Sequence, residues 1–438
     1  MELFLMYATF VFIIYIAIKS TPVALAILLN INLFRAIPYV NYKFPNYGYY
    51  NENDIVLGAI LPITCFLIIF LKIVLKTKQI KYHTDVFDVF ILLLSIVMLV
   101  SILFSPDKLK SIVYSGIFIF LSLPFYVAAK FHFLNTKDYK GDLHKFFSAI
   151  VFFAIMFALV SLYLHNIAKY PYERMTFPGV YPIAFCLFLC TALIIVIIYY
   201  IKPSFKKELS KKNQFIFAIP VLGIIIFSII KTNTRGPVFA ILLCFIVMLM
   251  LFFKIKLHTK IIMSALISLF IGFVTLISVF DVEKIAKRFI NLAPADANSF
   301  SPRILAYLDS VKILLIRPWG ISVGTFGQFY SDQDSLGADA GAYSHNLFME
   351  LISSFGLLGV FLSFFLIYIF LFEYNFIIKN QKKIFSDHLF FISIVLLVFF
   401  FFETQFSFTL NTHKGFYLSM ALYAISKFKF LKNRSYDI

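Results

Sequence analysis

The sequence has few charged residues: 14% of its 438 residues are Asp, Glu, Lys or Arg, whereas about 25% is usual for a soluble domain. By contrast, 61% of the residues are hydrophobic. A soluble globular domain and a disordered chain are therefore both excluded. The four cysteines, Cys65, Cys186, Cys190 and Cys244, all lie in apolar runs. We interpret them as small packing residues, which excludes a disulfide scaffold.

The hydrophobic residues are arranged in long apolar runs. The first residues, Met1-Glu2-Leu3-Phe4, lack the basic region and cleavage site of a secretory signal, so we expect a retained first span. A membrane-crossing helix needs about 20 mostly apolar residues. Clear candidates are 2–18, 55–75, 86–104, 111–129, 146–165, 180–201, 214–230, 236–253, 260–280, 347–374 and 387–402; 22–40 and 414–428 are weaker. The sequence therefore predicts an all-α polytopic membrane protein with 12 or 13 transmembrane helices.

Lysine and arginine in the short loops predict the orientation. The alternate loops 72–85, 130–145, 202–213, 254–260 and 375–386 carry 19 basic residues, and the other loops, 35–54, 105–110, 166–179 and 231–235, carry 8. The first set is thus expected in the cytoplasm, together with the basic C-terminal tail. The net charge of +17 records this topology and not a nucleic-acid partner. The N-terminus lies outside if both 2–18 and 22–40 cross, and inside if one of them is re-entrant.

This topology divides the chain into N-terminal transmembrane helices (1–280), one periplasmic loop (281–346) and C-terminal transmembrane helices with a cytoplasmic tail (347–438). The loop holds six Lys/Arg and seven Asp/Glu, so it is nearly neutral. It is too short for an independent catalytic domain. We expect short helices that lie on the membrane and cover a cavity.

Two arginines on the outer side are candidates for binding an anion. Arg235 precedes Gly236-Pro237, and proline is favoured at the first position of a helix. A helix N-terminus and a guanidinium both favour a phosphate there, although an interfacial arginine that reaches toward the headgroups is an equally good reading. Arg303 opens an amphipathic pattern expected at the outer interface, where a solvated arginine is the simpler reading.

His345 lies where the long loop re-enters the membrane, and histidine is the commonest general base. Asn346 follows it, and Glu350 lies one turn further along the predicted helix. Glu350 is expected to orient a partner or to form part of a polar helix face.

Two other motifs in the loop are rejected. Gly320-Ile321-Ser322-Val323-Gly324 matches a nucleophile elbow, which requires a sheet, so we interpret it as a glycine-rich turn. Asp332-Gln333-Asp334 resembles a metal-binding acid pair, but such pairs are common in polar loops. We therefore expect no metal site.

Taken in order, these motifs resemble a known family. Arg235-Gly236 begins a span, the outer loop opens on the Arg303 helix, and Pro318-Trp319-Gly320, Gly324-Thr325-Phe326 and His345-Asn346 with Gly356 and Gly359 follow. Over about 214–360 this pattern resembles the O-antigen ligase/O-antigen polymerase family of bacterial inner-membrane glycosyltransferases. Tyr307 stands where that family often has tryptophan.

The resemblance implies a GT-C-like helical fold that acts at the periplasmic face on undecaprenyl-diphosphate-linked glycans, with no cofactor and no metal. Arg235 and Arg303 would bind the donor diphosphate, and His345 would take the proton of the attacking hydroxyl, with inversion at the anomeric carbon. Asn346, Glu350 and Tyr307 would support them. The expected partners are the lipid-linked oligosaccharide, the bilayer and a chain-length regulator protein.

A polymerase, which extends a lipid-linked repeat unit, is the first hypothesis. A ligase, which transfers the finished glycan to the lipid A core, is the second. A flippase for lipid-linked oligosaccharides is a different class; transporters of that kind usually contain internal repeats, and none is visible here. A structural membrane partner of an assembly complex remains the last alternative.

Overall fold

The computed structural model describes residues 2–37, 56–76, 80–166, 174–178, 180–201, 211–252, 297–329, 343–406 and 409–434. These residues form helices and connecting turns, and no strand occurs among them, which confirms the predicted all-α polytopic class. The first half contains α1 (Glu2–Lys19), α2 (Thr21–Leu29), α3 (Ile31–Ala36), α4 (Leu61–Lys76), α5 (Val86–Ser101), α6 (Lys108–Ile117), α7 (Leu123–Asn135) and α8 (Tyr139–Asn166). The second half contains α9 (Pro182–Ile195), α10 (Lys211–Thr232), α11 (Arg235–Phe252), α12 (Ala297–Ile316), α13 (Leu347–Phe355), α14 (Leu357–Ser386), α15 (His388–Glu403) and α16 (Lys414–Arg434).

Five helical stretches within the described residues are long and apolar enough to cross a membrane. They are Val56–Leu75, Val86–Phe104, Lys108–Asn135, Tyr139–Asn166 and Leu357–Ser386. Shorter apolar helices are Phe4–Lys19, Pro182–Ile198, Ala218–Thr232, Arg235–Leu249 and His388–Glu403. The predicted segment 260–280 lies outside the described residues, so the total of 12 or 13 spans stays a prediction.

Polar residues set the ends of several of these apolar helices. Asp85 caps α5: its side chain accepts a hydrogen bond from Phe87 N, while Asp88 accepts one from Asp85 N. Asp107 caps α6 and Asp387 caps α15 in the same way. Such caps satisfy backbone N–H groups that have no partner inside the helix. They explain why apolar runs of similar composition begin at defined positions.

One predicted span is shorter than expected. The apolar run 347–374 is two helices, α13 and α14, separated at Gly356, where φ is +60°. Only α14 has the length and composition of a membrane span. α13 therefore belongs to the structure at the end of the bundle and not to a transmembrane helix.

Contacts between connecting segments define two ends of the bundle. At the first, which we call the His345 end, Ser111 Oγ donates to Val323 O over 3.1 Å and Leu347 N donates to Thr404 O over 3.1 Å. At the other end, which we call the Lys427 end, Lys81 N donates to Asn135 Oδ1 over 2.7 Å, and Lys427 Nζ lies 2.6 Å from Glu373 Oε1. The loops at the Lys427 end are those predicted from their basic residues to face the cytoplasm.

The N-terminal helices fit this arrangement. Lys72 Nζ donates to Ala17 O over 2.9 Å, which brings the end of α1 to the end of α4. Arg35, at the end of α3, lies against Gly58, just before α4. α1 and the α2–α3 pair therefore run in opposite directions, and α1 begins at the His345 end. Whether both N-terminal segments cross the membrane stays a prediction.

A buried ion pair lies near the Lys427 end. Lys130 Nζ is 2.6 Å from Asp88 Oδ1, and Tyr126 Oη donates to the same oxygen over 2.7 Å. The side chains of Lys130 and Asp88 are only 2% and 10% exposed. Buried charges of this kind require a partner, so the pair ties α5 to α7.

The helix that contains Arg303 has two different faces. Ala306, Asp309, Ser310 and Ile313 are buried, and the buried apolar members pack with Ile321 and Phe326 of the following loop. The other face is exposed and mostly apolar: Leu308, Val311, Leu315 and Ile316 surround one charged residue, Lys312. This division is the one expected of a helix that lies at a membrane surface.

Candidate active site

Two glycine-containing segments pair backbone to backbone at the His345 end. Ile321 N donates to Ser353 O over 3.0 Å, Ser322 N to Ser354 O over 2.8 Å, and Leu357 N to Pro318 O over 2.8 Å. These bonds fasten the loop after α12 to the junction of α13 and α14. Two of the predicted motifs, far apart in the chain, are thus neighbours in the fold.

Glycine is required on both sides of this pairing. Gly320 and Gly356 have φ values of +78° and +60°, which residues with a Cβ rarely adopt. A Cβ on Gly320 would lie 2.3 Å from Ser354 O, and one on Gly356 would lie 1.8 Å from Pro318 O. The two backbones can therefore approach only because both positions lack a side chain.

Ser322, at the centre of the rejected nucleophile-elbow motif, is buried. Its Oγ lies 2.8 Å from Ser101 Oγ, and the residue is 1% exposed. It lies in the paired turn, as expected for a glycine-rich turn, and its hydroxyl is used to attach this turn to the end of α5.

His345 lies directly before the N-terminus of α13. Asn346 caps that helix: its Oδ1 accepts hydrogen bonds from Phe348 N over 3.0 Å and Met349 N over 3.2 Å. His345 itself has a φ of +55°, and its ring lies 4.0 Å from the ring of Tyr343. The cap and the ring contact together fix where the imidazole lies relative to α13.

Arg235 is the first residue of α11 and is half-buried. One turn later, Phe239 lies 6.5 Å from Phe406, in the turn that follows α15. The same turn supplies Thr404 O to Leu347 N. Arg235 therefore lies at the end of the bundle that holds His345.

Arg303 lies in the first half of α12, and its side chain is outside the described part of the molecule. α12 packs against α13, which starts two residues after His345. Tyr307, one turn after Arg303, is half-buried. The convergence of Arg235, Arg303 and His345 on one cavity stays a prediction.

Glu350 faces a small cavity from the middle of α13. The residue is 7% exposed, and its Oε2 accepts a hydrogen bond from Leu410 N over 2.8 Å. Burial raises the pKa of this carboxyl to about 8, although the bond from Leu410 N opposes the shift. The cavity, of about 10 Å³, is lined by Tyr114, Gly324, Phe326, Tyr343, Glu350, Ser354 and Thr409.

Sequence reasoning missed the turn between α15 and α16. Thr404 and Leu410 of this turn bond to α13, and Tyr417 Oη donates to Leu410 O over 2.7 Å. Glu403 and His413, both 2% exposed, flank the turn and lie 3.7 Å apart. The signal was present, because polar residues at 403–405 and 411–413 separate two strongly apolar runs.

Within the described residues, no group of three or more His, Cys, Asp or Glu could hold a metal ion. Asp332-Gln333-Asp334 lies outside those residues. The groups that the described residues bring to this end of the bundle are the His345 imidazole, the Glu350 carboxyl and the Arg235 guanidinium.

These features define a helical, polytopic membrane protein with a polar site at one end. Residues 220–364 match the O-antigen ligase family, which confirms the predicted resemblance over a third of the chain. Members of this family are glycosyltransferase-type enzymes that act on lipid-linked glycans. No curated protein and no solved structure matches the chain.

Proposed function

We propose that this protein is an O-antigen (surface polysaccharide) polymerase. It transfers an undecaprenyl-diphosphate-linked glycan onto a lipid-linked repeat unit, with inversion and without a metal. The observation that carries the proposal is the pairing of the Pro318–Ser322 turn with the α13–α14 junction next to His345. Both paired segments lie within the residues that match the O-antigen ligase family.

The chemistry assigned to the site is a displacement at the anomeric carbon. Arg235, at the N-terminus of α11, and Arg303, from α12, bind the donor diphosphate. They also stabilise the charge that develops on this leaving group, where fixed cations act most strongly. His345 takes the proton of the attacking acceptor hydroxyl. Asn346 supports this role by capping the helix that follows His345.

The site is assigned to the periplasmic face of the bacterial inner membrane, and the C-terminus to the cytoplasm. This orientation rests on the basic residues of the opposite loops. The contacts that group those loops at the Lys427 end support it. The bilayer and the lipid-linked oligosaccharide are the partners required by this function, and a chain-length regulator protein is a further one.

Ligase activity is the second candidate, because the description of the matching family is O-antigen ligase. A deletion strain separates the two activities. One repeat unit left on the lipid A core indicates a polymerase, whereas loss of all glycan from that core, with polymer retained on undecaprenyl, indicates a ligase. A flippase predicts neither outcome, since lipid-linked units would then accumulate at the cytoplasmic face.

The residue assignments are tested in proteoliposomes with lipid-linked repeat units. Arg235→Ala and Arg303→Ala should each weaken binding of undecaprenyl diphosphate, and His345→Ala should abolish transfer while leaving that binding intact. Arg317→Ala is the matched control, since Arg317 is exposed and lies 5.0 Å from the Phe329 ring. Unchanged binding in both arginine variants would refute the assignment of Arg235 and Arg303 to the donor diphosphate. Normal turnover of His345→Ala would refute the assignment of His345 as the base.

A further inference from the structure

Only one of the two carboxyl oxygens of Glu350 has a hydrogen-bond partner among the described residues. Its Oε2 is occupied by Leu410 N, whereas no hydrogen bond joins its Oε1 to any described residue. The side chain is more than nine-tenths buried and lines the cavity under the site. Glu350 Oε1 is not one of the fully buried atoms that lack a partner, so it stays accessible from the cavity and can accept a hydrogen bond from a group that enters it.

The size and lining of the cavity restrict what that group is. About 10 Å³ is room for one water-sized group and not for a sugar ring. Tyr114, Ser354 and Thr409 line the cavity beside Glu350. A group of this size is a water molecule or a single hydroxyl.

The position of the cavity connects it to the proposed reaction. Tyr343 forms part of its wall, and the ring of Tyr343 lies 4.0 Å from the ring of His345. A sugar that inserts one hydroxyl into the cavity would thus place its neighbouring hydroxyl near the imidazole.

We propose that this cavity is the subsite for one hydroxyl of the acceptor glycan, and that Glu350 Oε1 is its hydrogen-bond acceptor. Glu350 holds the acceptor sugar, and His345 takes the proton of the neighbouring hydroxyl. This inference rests on the proposed glycan transfer, since it names the group that binds the second substrate of that reaction.

Glu350→Gln is a specific test of this role. Its carbonyl oxygen keeps the bond from Leu410 N, which leaves the NH2 group, a donor, facing the cavity. We expect transfer to fall about 10- to 100-fold, the range for a lost hydrogen bond to a charged group. Binding of undecaprenyl diphosphate should stay at the wild-type level, because Arg235 and Arg303 are intact.

A second variant tests the cavity independently, in case Glu350→Gln fails to fold. Ser354→Val fills the cavity without changing the carboxyl, and it should reduce transfer by a similar factor. Glu373→Gln is the control: Glu373 is also buried, but it bonds Tyr423 and Lys427 at the opposite end of the bundle. It should retain transfer even where its thermal stability falls.

The pH profile provides a readout that a structural role would not change. Only the ionised carboxyl is free to accept at Oε1, so wild-type transfer should rise with pH up to about 8. Among the described residues, the other titratable groups that face Glu350 are the phenols of Tyr114, Tyr343 and Tyr417. Glu350→Gln should lack the part of this rise that lies near pH 8.

Three results would overturn the inference. Wild-type transfer by both variants means that the cavity holds only a resident water. Loss of undecaprenyl diphosphate binding together with transfer in Glu350→Gln means that Glu350 only holds the Leu410 turn. A pH profile of Glu350→Gln equal to that of the wild-type protein means that ionisation of Glu350 has no part in the reaction. Absence of transfer by the wild-type protein would instead refute the proposed function itself.

Discussion

Replacement of Gly356 by alanine should open the paired turn at the His345 end. Alanine at φ +60°, ψ −131° is strained by about 1–3 kcal/mol. The new Cβ would lie 1.8 Å from Pro318 O and 2.6 Å from Gly320 N, so the two backbones must separate. This overpacking adds about 1–3 kcal/mol, and loss of the bond from Leu357 N to Pro318 O adds about 1 kcal/mol.

The total, roughly 3–7 kcal/mol, is a large part of the 5–15 kcal/mol that stabilises a typical domain. Most of this cost can be avoided if the 318–322 turn detaches while the apolar bundle stays folded. We therefore expect faster hydrogen–deuterium exchange in peptides that cover 318–323 and 353–358, together with loss of glycan transfer. Exchange at the Lys427 end should stay unchanged.

Gly223→Ala is the matched control. Gly223 lies in α10, and a Cβ there would meet nothing within 4 Å. Alanine should stabilise that helix by about 0.5–1 kcal/mol, with no change at the site. If Gly356→Ala shows the same exchange and transfer as Gly223→Ala, the backbone pairing does not hold the site together.

Two further predictions test the bundle and its contact with the membrane. Lys130→Met leaves Asp88 buried without its cation, so we expect a loss of about 3–5 kcal/mol in thermal unfolding. Lys145→Met, at an exposed ion pair, should have little effect, and an equal effect of both would contradict the reasoning. Trp319, the only tryptophan, is exposed and stacks on the exposed Phe104, which ends a candidate membrane span, so its fluorescence should be quenched by brominated lipids more than by aqueous iodide. The reverse order would place this ring pair in water.

The sequence was sufficient to predict elements whose cause is local. Apolar runs predicted the positions of the described spans, because burial in lipid depends on composition over about 20 residues. The basic loops at 72–85 and 130–145 do meet at one end. The division of 347–374 at Gly356 was missed, since an apolar pattern does not report a positive φ that is required by contact with Pro318.

The site was predicted only where a residue acts near its own place in the chain. A helix does begin directly after His345-Asn346, where an apolar run starts, and the structure adds that Asn346 is its cap. The bond from Leu410 to Glu350 joins residues 60 positions apart, and no periodicity or spacing in a single sequence reports such a contact. The same holds for Ser101 and Ser322, which are 221 positions apart.

Three separate segments, one of them the helix that follows His345, hold this part of the site in place. The residues that match the O-antigen ligase family include only two of them. The turn at 318–322 and the helix at 347–355 lie inside the matched residues 220–364. The third segment, which bonds Leu347 through Thr404 and Glu350 through Leu410, lies outside them. Because α13 is held on one side by the paired glycines and on the other by this turn, its position depends on both. Substitutions in 404–413 should therefore alter the site as strongly as substitutions in the matched motifs, although no motif identifies them.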